Sequence, residues 1–160
     1  MKKVLFVLLF FMFLICPVFA QKTLALSDGM SVIISKEFKQ EETMAFVIAE
    51  DNVHINILDV DIGAEQVSNE EIIGEIVNEL KQQWDSYEVI KKNEFKINGY
   101  PAILLKGKMY SAEAGINIII TQYLIFANNK LYNINCACPE SVAEKYSKIF
   151  ENIAGSFKKN

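Results

Sequence analysis

Two cysteines one residue apart, in Cys136-Ala137-Cys138-Pro139, are the sharpest chemical feature of the chain. If the strand-like run Leu131–Cys138 stays extended through them, both thiols point the same way as Tyr132 and Ile134, while Asn133 and Asn135 point the other way. Three readings follow. The pair can be two small buried residues at the end of a core strand. It can be a local or intermolecular disulfide, but alternate residues of a strand lie roughly 6.6 Å apart at Cα, near the upper limit for a bridge. Such a bond would need the strand to break and would be easily reduced. The third reading is a redox or metal role, with a Cys138 thiolate stabilised at the start of the following helix. The spacing is not the Cys-x-x-Cys of thioredoxin-like redox sites.

The other chemistry-bearing residues are sparse. His54 is the only histidine, and it sits in a strand. A nucleophilic triad would need it as base, and no G-x-S-x-G elbow exists to meet it. A structural zinc site wants four Cys or His ligands, and Cys136, Cys138 and His54 fall one short without a carboxylate. Asp59 and Asp61 share a strand face but lack the spacing of a calcium loop. The seven glycines are scattered and build no phosphate-cradling loop. No catalytic, cofactor-binding or metal-binding residue is therefore assigned, and an enzyme is not expected. Cys136 and Cys138 stay as a redox or disulfide alternative.

The elements that would position these residues begin after a leader. Lys2 and Lys3 precede an unbroken apolar run, Val4–Ile15, and Val18-Phe19-Ala20 has the small residues a signal peptidase reads. Cleavage is expected near Ala20, leaving 21–160 as one domain outside the cytoplasm. The run is shorter than the ~20 residues of a membrane span, so no permanent span is expected once the leader is cleaved. Bulky Ile15 before Cys16 argues against a lipid anchor there. The formal net charge is −4 and no arginine occurs, so the bidentate fork that grips phosphate is missing and nucleic acid is not expected as a partner.

Asp28-Gly29 between Thr23–Leu26 and Met30–Ser35 predicts a hairpin. Lys36 to Thr43 reads as a loop or short helical turn, followed by strands Met44–Ala49 and Val53–Val60. Ser68 with Glu71 is a capping box, opening a helix over about 69–84 whose apolar stripe runs Ile72, Ile73, Ile76, Val77, Leu80, Trp84. Tyr87–Ile97 and Tyr100–Met109 flank Asn98-Gly99, the strongest hairpin signal, with Pro101 marking a frayed or edge position. Ile116–Ala127 is apolar on both faces and predicts a central strand. Leu131–Cys138 returns after the Asn128-Asn129 turn. A helix starting at Pro139 and running to about residue 154 carries Val142, Tyr146, Ile149, Phe150 and Ile153 on one face, after which Phe157 tucks back. The sum is an α+β fold with a mostly antiparallel, meandering sheet of about six to eight strands and two helices packed on it.

This order resembles the PsbP-like group, which includes exported bacterial DcrB-type proteins. The likeness rests on Asn98-Gly99-Tyr100-Pro101-Ala102, Gln122-Tyr123, Lys130-Leu131-Tyr132-Asn133-Ile134, Phe150-Glu151-Asn152-Ile153 and Ser156-Phe157-Lys158. Asn128-Asn129 replaces the commoner glycine-bearing turn. These are structural motifs, so the resemblance implies a fold and transfers no site. It implies an accessory or binding role in the cell envelope, with an envelope protein or small ligand as partner. The sheet surface, or the loops at Lys36–Thr43 and Ala112–Gly115, would present the contact.

Overall fold

Branched and aromatic residues fill Ile116–Ala127 almost without interruption, and such a strand needs cover on both faces. A computed structural model, which describes residues 21–63, 68–84 and 86–160, shows how it obtains that cover. The leader and the cleavage point at Ala20 lie outside the described residues. In chain order the elements are β1 (Lys22–Ala25), β2 (Met30–Ile34), β3 (Lys39–Glu42), β4 (Ala45–Ile48), β5 (Val53–Asp61), α1 (Asn69–Gln83), β6 (Glu88–Ile97), β7 (Tyr100–Ser111), β8 (Ile116–Ala127), β9 (Lys130–Pro139), α2 (Ala143–Gly155) and β10 (Lys158–Lys159). Seven strands form an antiparallel sheet in the order β3-β4-β5-β9-β8-β7-β6, and three more form a small sheet in the order β1-β2-β10. The chain is α+β.

Neighbouring residues of β8 serve two different cores. Ile119, Tyr123 and Ile125 join β1, β2, α2 and Phe157 on one face. On the other face Leu124 packs with Ile72 and Ile73 of α1, and Ile120 with Val77, Leu80 and Tyr87. The hairpin turns that set this register are those the sequence announces. Asn98 and Gly99 have φ of 49° and 89°, Asn128 and Asn129 of 54° and 59°, the positive pair that a two-residue hairpin turn demands. Pro101 precedes the first β7–β8 pair, Ala102 with Ile125, so its missing N–H interrupts no ladder on that side.

Helix α1 opens on a complete capping box. The Glu71 amide donates to Ser68 Oγ at 3.2 Å and the Ser68 amide to Glu71 Oε2 at 2.9 Å, an arrangement that stabilises a helix end by about 1 kcal/mol. Among the described residues no helix is long and apolar enough to cross a membrane.

Three expectations are corrected. Lys39–Glu42, read as loop or helical turn, is the outermost strand, paired with β4 across an irregularity between Gln40 and Glu42. Exposed along its whole length, it has no buried face to give it a period. The expected helix start at Pro139 is displaced to Ala143. Pro139 keeps an extended backbone (φ −53°, ψ 140°) opposite Ile118, and a 3₁₀ turn, Glu140–Val142, intervenes. Glu140 is tied to the sheet by Lys108 at 2.8 Å and Asn117 at 2.9 Å, which fixes that turn. Trp84 leaves the α1 stripe: its φ of −137° ends the helix, and it stands 37% exposed. The predicted N-terminal hairpin is present as β1 and β2, and Lys158 and Lys159 pair with β2 to complete a separate three-stranded sheet.

Asp51, after β4, accepts hydrogen bonds from the Lys145 ammonium and the Tyr146 hydroxyl of α2. These bonds, Lys145 first, hold its carboxyl below the ordinary 3.8. Lys108 and then Asn117 hold Glu140 below 4.5 in the same way. Folded values below unfolded ones mean that each group contributes stability that is complete above its unfolded value and lost as pH falls through the folded one. The melting midpoint should therefore drop between about pH 5 and pH 3, and Asp51→Asn should flatten that drop. Parallel pH profiles for the two proteins would remove Asp51 from the account.

Candidate functional site

β9 stays extended and paired with β8 through both cysteines, with Thr121 opposite Cys136 and Ile119 opposite Cys138. Cys136 and Cys138 are consequently alternate residues on one face, 0% and 2% exposed, in the larger core. Both are free thiols. Burial, and then the neighbouring Cys138, push the Cys136 thiol well up. Burial pushes Cys138 up to about 11 against the opposing charge of Lys106. Nucleophilic thiolate is thus scarce near neutral pH. Iodoacetamide at neutral pH should modify neither residue in the native protein and both after denaturation. Rapid modification of either in the folded state would restore a redox role for the pair.

The remaining sequence candidates are dispersed. His54, near the start of β5, bonds Asn52 Oδ1 through Nε2 at 2.8 Å. Asp59 lies 3.5 Å from Lys130, which also reaches Asp28 at 3.7 Å. Asp61 accepts from the Gly63 amide at 2.8 Å. Among the described residues no group of three or more His, Cys, Asp or Glu is placed to hold a metal ion.

The structure instead assembles a cleft that the cysteines only border. Lys91 of β6 stands directly opposite Lys106 of β7, and Lys106 directly opposite Thr121 of β8. Tyr123 follows Thr121 on the same face. Ser147, Phe150 and Glu151 of α2 roof the row, leaving a cavity of about 190 Å³ whose floor includes Cys138. Thr121 and Tyr123 are 8% and 5% exposed. Neither hydroxyl has a hydrogen-bond partner among the described residues, and neither lysine pairs with a carboxylate there. Their neighbours are satisfied: Lys108 pairs with Glu140 at 2.8 Å, and Glu151 with Lys148 at 3.1 Å. Burial raises the Tyr123 phenol, with Cys136 and Glu151 adding to the rise, so it remains a neutral donor.

Two ammoniums and two neutral hydroxyls line one wall, and Leu104, Ile119 and Phe150 supply apolar surface. The Tyr123 phenol and the Cys138 thiol, both raised by burial, are not activated nucleophiles. Sequence reasoning did not single out Lys91, Lys106, Thr121 or Tyr123 as a site, because three strands must be in register before they meet. One sign was present in the chain. Lys106 occupies the same alternation as Ala102 and Leu104, a lysine on a core-facing row.

A second polar patch lies on the opposite face of the sheet, where Asn56, Asn135 and Gln122 are consecutive across β5, β9 and β8. Gln122 Oε1, Asn133 Oδ1 and Asn135 Oδ1 are buried there without a partner among the described residues. The row Asn56–Asn135–Gln122 carries no charge.

No family model and no curated protein sequence matches the chain. Solved structures do. Cyanobacterial PsbP from Synechocystis sp. PCC 6803 superposes with a TM-score of 0.70 at 11% identity, over 91% of this chain and 95% of that one. LpqN of Mycobacterium tuberculosis, described as involved in cell envelope biogenesis, gives 0.63 at 9% identity over 87% and 90%. The Ran-binding protein Mog1p of Saccharomyces cerevisiae gives 0.60 at 10% identity over 88% and 95%. Identities this low establish likeness of fold alone. The motifs at Asn98–Ala102, Lys130–Ile134 and Phe150–Lys158 occupy the β6–β7 turn, the start of β9 and the end of α2 with β10. By its element order and these superpositions, the chain has the PsbP-like fold.

Proposed function

We propose that this protein is an exported, non-catalytic binding domain of the bacterial cell envelope, formed by residues 21–160, and that its site is the cleft beneath α2. The observation that carries the reading is the row Lys91–Lys106–Thr121, continued by Tyr123: donors and positive charges lining a roofed cavity, with no acceptor paired to them among the described residues. Like charges set opposite one another with no counter-charge cost stability, so an arrangement of this kind is explained by something that enters and matches them. The leader Met1–Ala20 supports export. The fold likenesses support accessory work, since one relative is described by its role in envelope biogenesis and another by the protein it binds.

Two measurements test the proposal. Expressed in full in a bacterial host, the chain should be recovered outside the cytoplasm with a mass corresponding to a start at Gln21. The mature protein, titrated with a small-molecule extract of envelope and followed by amide resonances, should show shifts concentrated at Lys106, Thr121, Tyr123 and Phe150. A cytoplasmic product retaining its leader would defeat export. Shifts confined to other surfaces, or none at all, would defeat the cleft.

A further inference from the structure

We infer that the cleft takes a small organic anion: a monocarboxylate with a short apolar body, its carboxylate seated on Lys91 and Lys106 and its body against Leu104, Ile119 and Phe150. This rests on the reading of the cleft as a binding site and adds the class of ligand. Like charges directly opposite one another on neighbouring strands, roughly 5 Å apart at Cβ, are destabilising. Lys91 and Lys106 are such a pair on one face.

The charged groups facing the pair do not relieve it. Glu151 of α2 is engaged by Lys148 at 3.1 Å, and Glu140, beyond the end of the cleft, is engaged by Lys108 at 2.8 Å. Lys92 and Glu94 of β6 lie within 4.0 Å of each other, in the alternation opposite to Lys91. An incoming carboxylate turns the repulsion into two charge-assisted contacts. The Thr121 and Tyr123 hydroxyls, which line the cleft on the same face, can donate to its oxygens or to a water it carries.

Size and lining choose between anions. A cavity of about 190 Å³ holds the equivalent of roughly six waters at about 30 Å³ each, which suits a molecule of about six to ten heavy atoms. Inorganic phosphate would leave the apolar wall unused. It would also bring a charge near −2 into a space walled by Phe150 and Ile119, where desolvation is costly. Lysine offers point charges and none of the planar forks that favour phosphate.

The test uses the mature chain in low-chloride buffer, with hexanoate, hexanol and inorganic phosphate as probes and amide shifts as the readout. Hexanoate should bind saturably, with shifts at Lys106, Thr121 and Tyr123, and more tightly than either other probe. Lys106→Gln should weaken hexanoate about tenfold, while Lys92→Gln leaves it unchanged. Lys106→Gln should also raise the melting temperature of the free protein, because the opposed charges are relieved. A merely structural lysine would lower it. Hexanol binding as tightly as hexanoate would overturn the anion class while leaving the cleft a binding site, and preference for phosphate would overturn the organic part. If no probe shifts the cleft resonances although a folded spectrum is seen, the inference falls together with the reading beneath it.

Discussion

Phe157→Ala should lower stability by about 3–5 kcal/mol, the range for emptying a buried aromatic site, and the melting midpoint by roughly 10 °C. The ring is fully buried, edge-on to Tyr100 with centroids 5.6 Å apart and tilted against Tyr132 at 5.1 Å. Its backbone is equally committed. The Phe157 amide donates to Ala154 O at 3.1 Å, and Asn98 Nδ2 donates to Phe157 O at 2.7 Å. One residue thus joins the end of α2, the β6–β7 turn and the strand leading into β10. Neighbours drawn from three separate elements cannot all collapse into the space the ring leaves, so the upper half of the range is expected. Thermal and urea unfolding followed by circular dichroism decide the matter. A loss below about 1 kcal/mol would show that the site closes up and that Phe157 is not the anchor described.

The second large effect comes from adding a single methyl group. A Cβ on Gly107 would lie 2.3 Å from both Cε2 and the hydroxyl oxygen of Tyr87, far inside van der Waals contact. Tyr87 cannot swing away, because it is 4% exposed and packed with Met109 and Ile120 against Val77 and Leu80. Gly107→Ala should therefore destabilise by about 1–3 kcal/mol through overpacking. On a Tyr87→Ala background the same substitution should cost little, so the two changes should couple strongly in a double-mutant cycle. Additive effects would mean that the ring has another place to go. Tyr87→Phe is the informative control. The phenol oxygen is buried without a partner among the described residues, and burial raises its pKa, so removing it should be neutral or stabilising.

The parts of the fold legible in the chain were those governed by local rules. Asn98-Gly99 and Asn128-Asn129 specify turns through backbone conformations few residues tolerate. Ser68 and Glu71 mark a helix start three residues apart, and alternation alone puts Cys136 and Cys138 on the side of Tyr132 and Ile134. The misread pieces were those whose state is decided elsewhere. Lys39–Glu42 is a strand only because β4 lies alongside it. Pro139 stays extended because β8 still pairs with it, where its ring would equally suit a helix start. The candidate cleft is an extreme case of the same dependence. Lys91, Lys106 and Thr121 are separated by 15 residues at each step of the chain, and only the β6–β7–β8 register makes them neighbours.

The small sheet has a consequence for the order in which the molecule can form. Met30 and Ser31 find their second partner only in Lys159 and Lys158, and the Asn160 amide bonds Gly29 O at 2.9 Å. A chain emerging N-terminus first, from a ribosome or through a translocation pore, can pair β1 with β2 early, but that hairpin stays incomplete until residues 158–160 have come through. Closure thus waits until the whole of the seven-stranded sheet and α2 have been made. The first sheet to be started is in this way the last to shut, a clasp between the two ends of the folded domain.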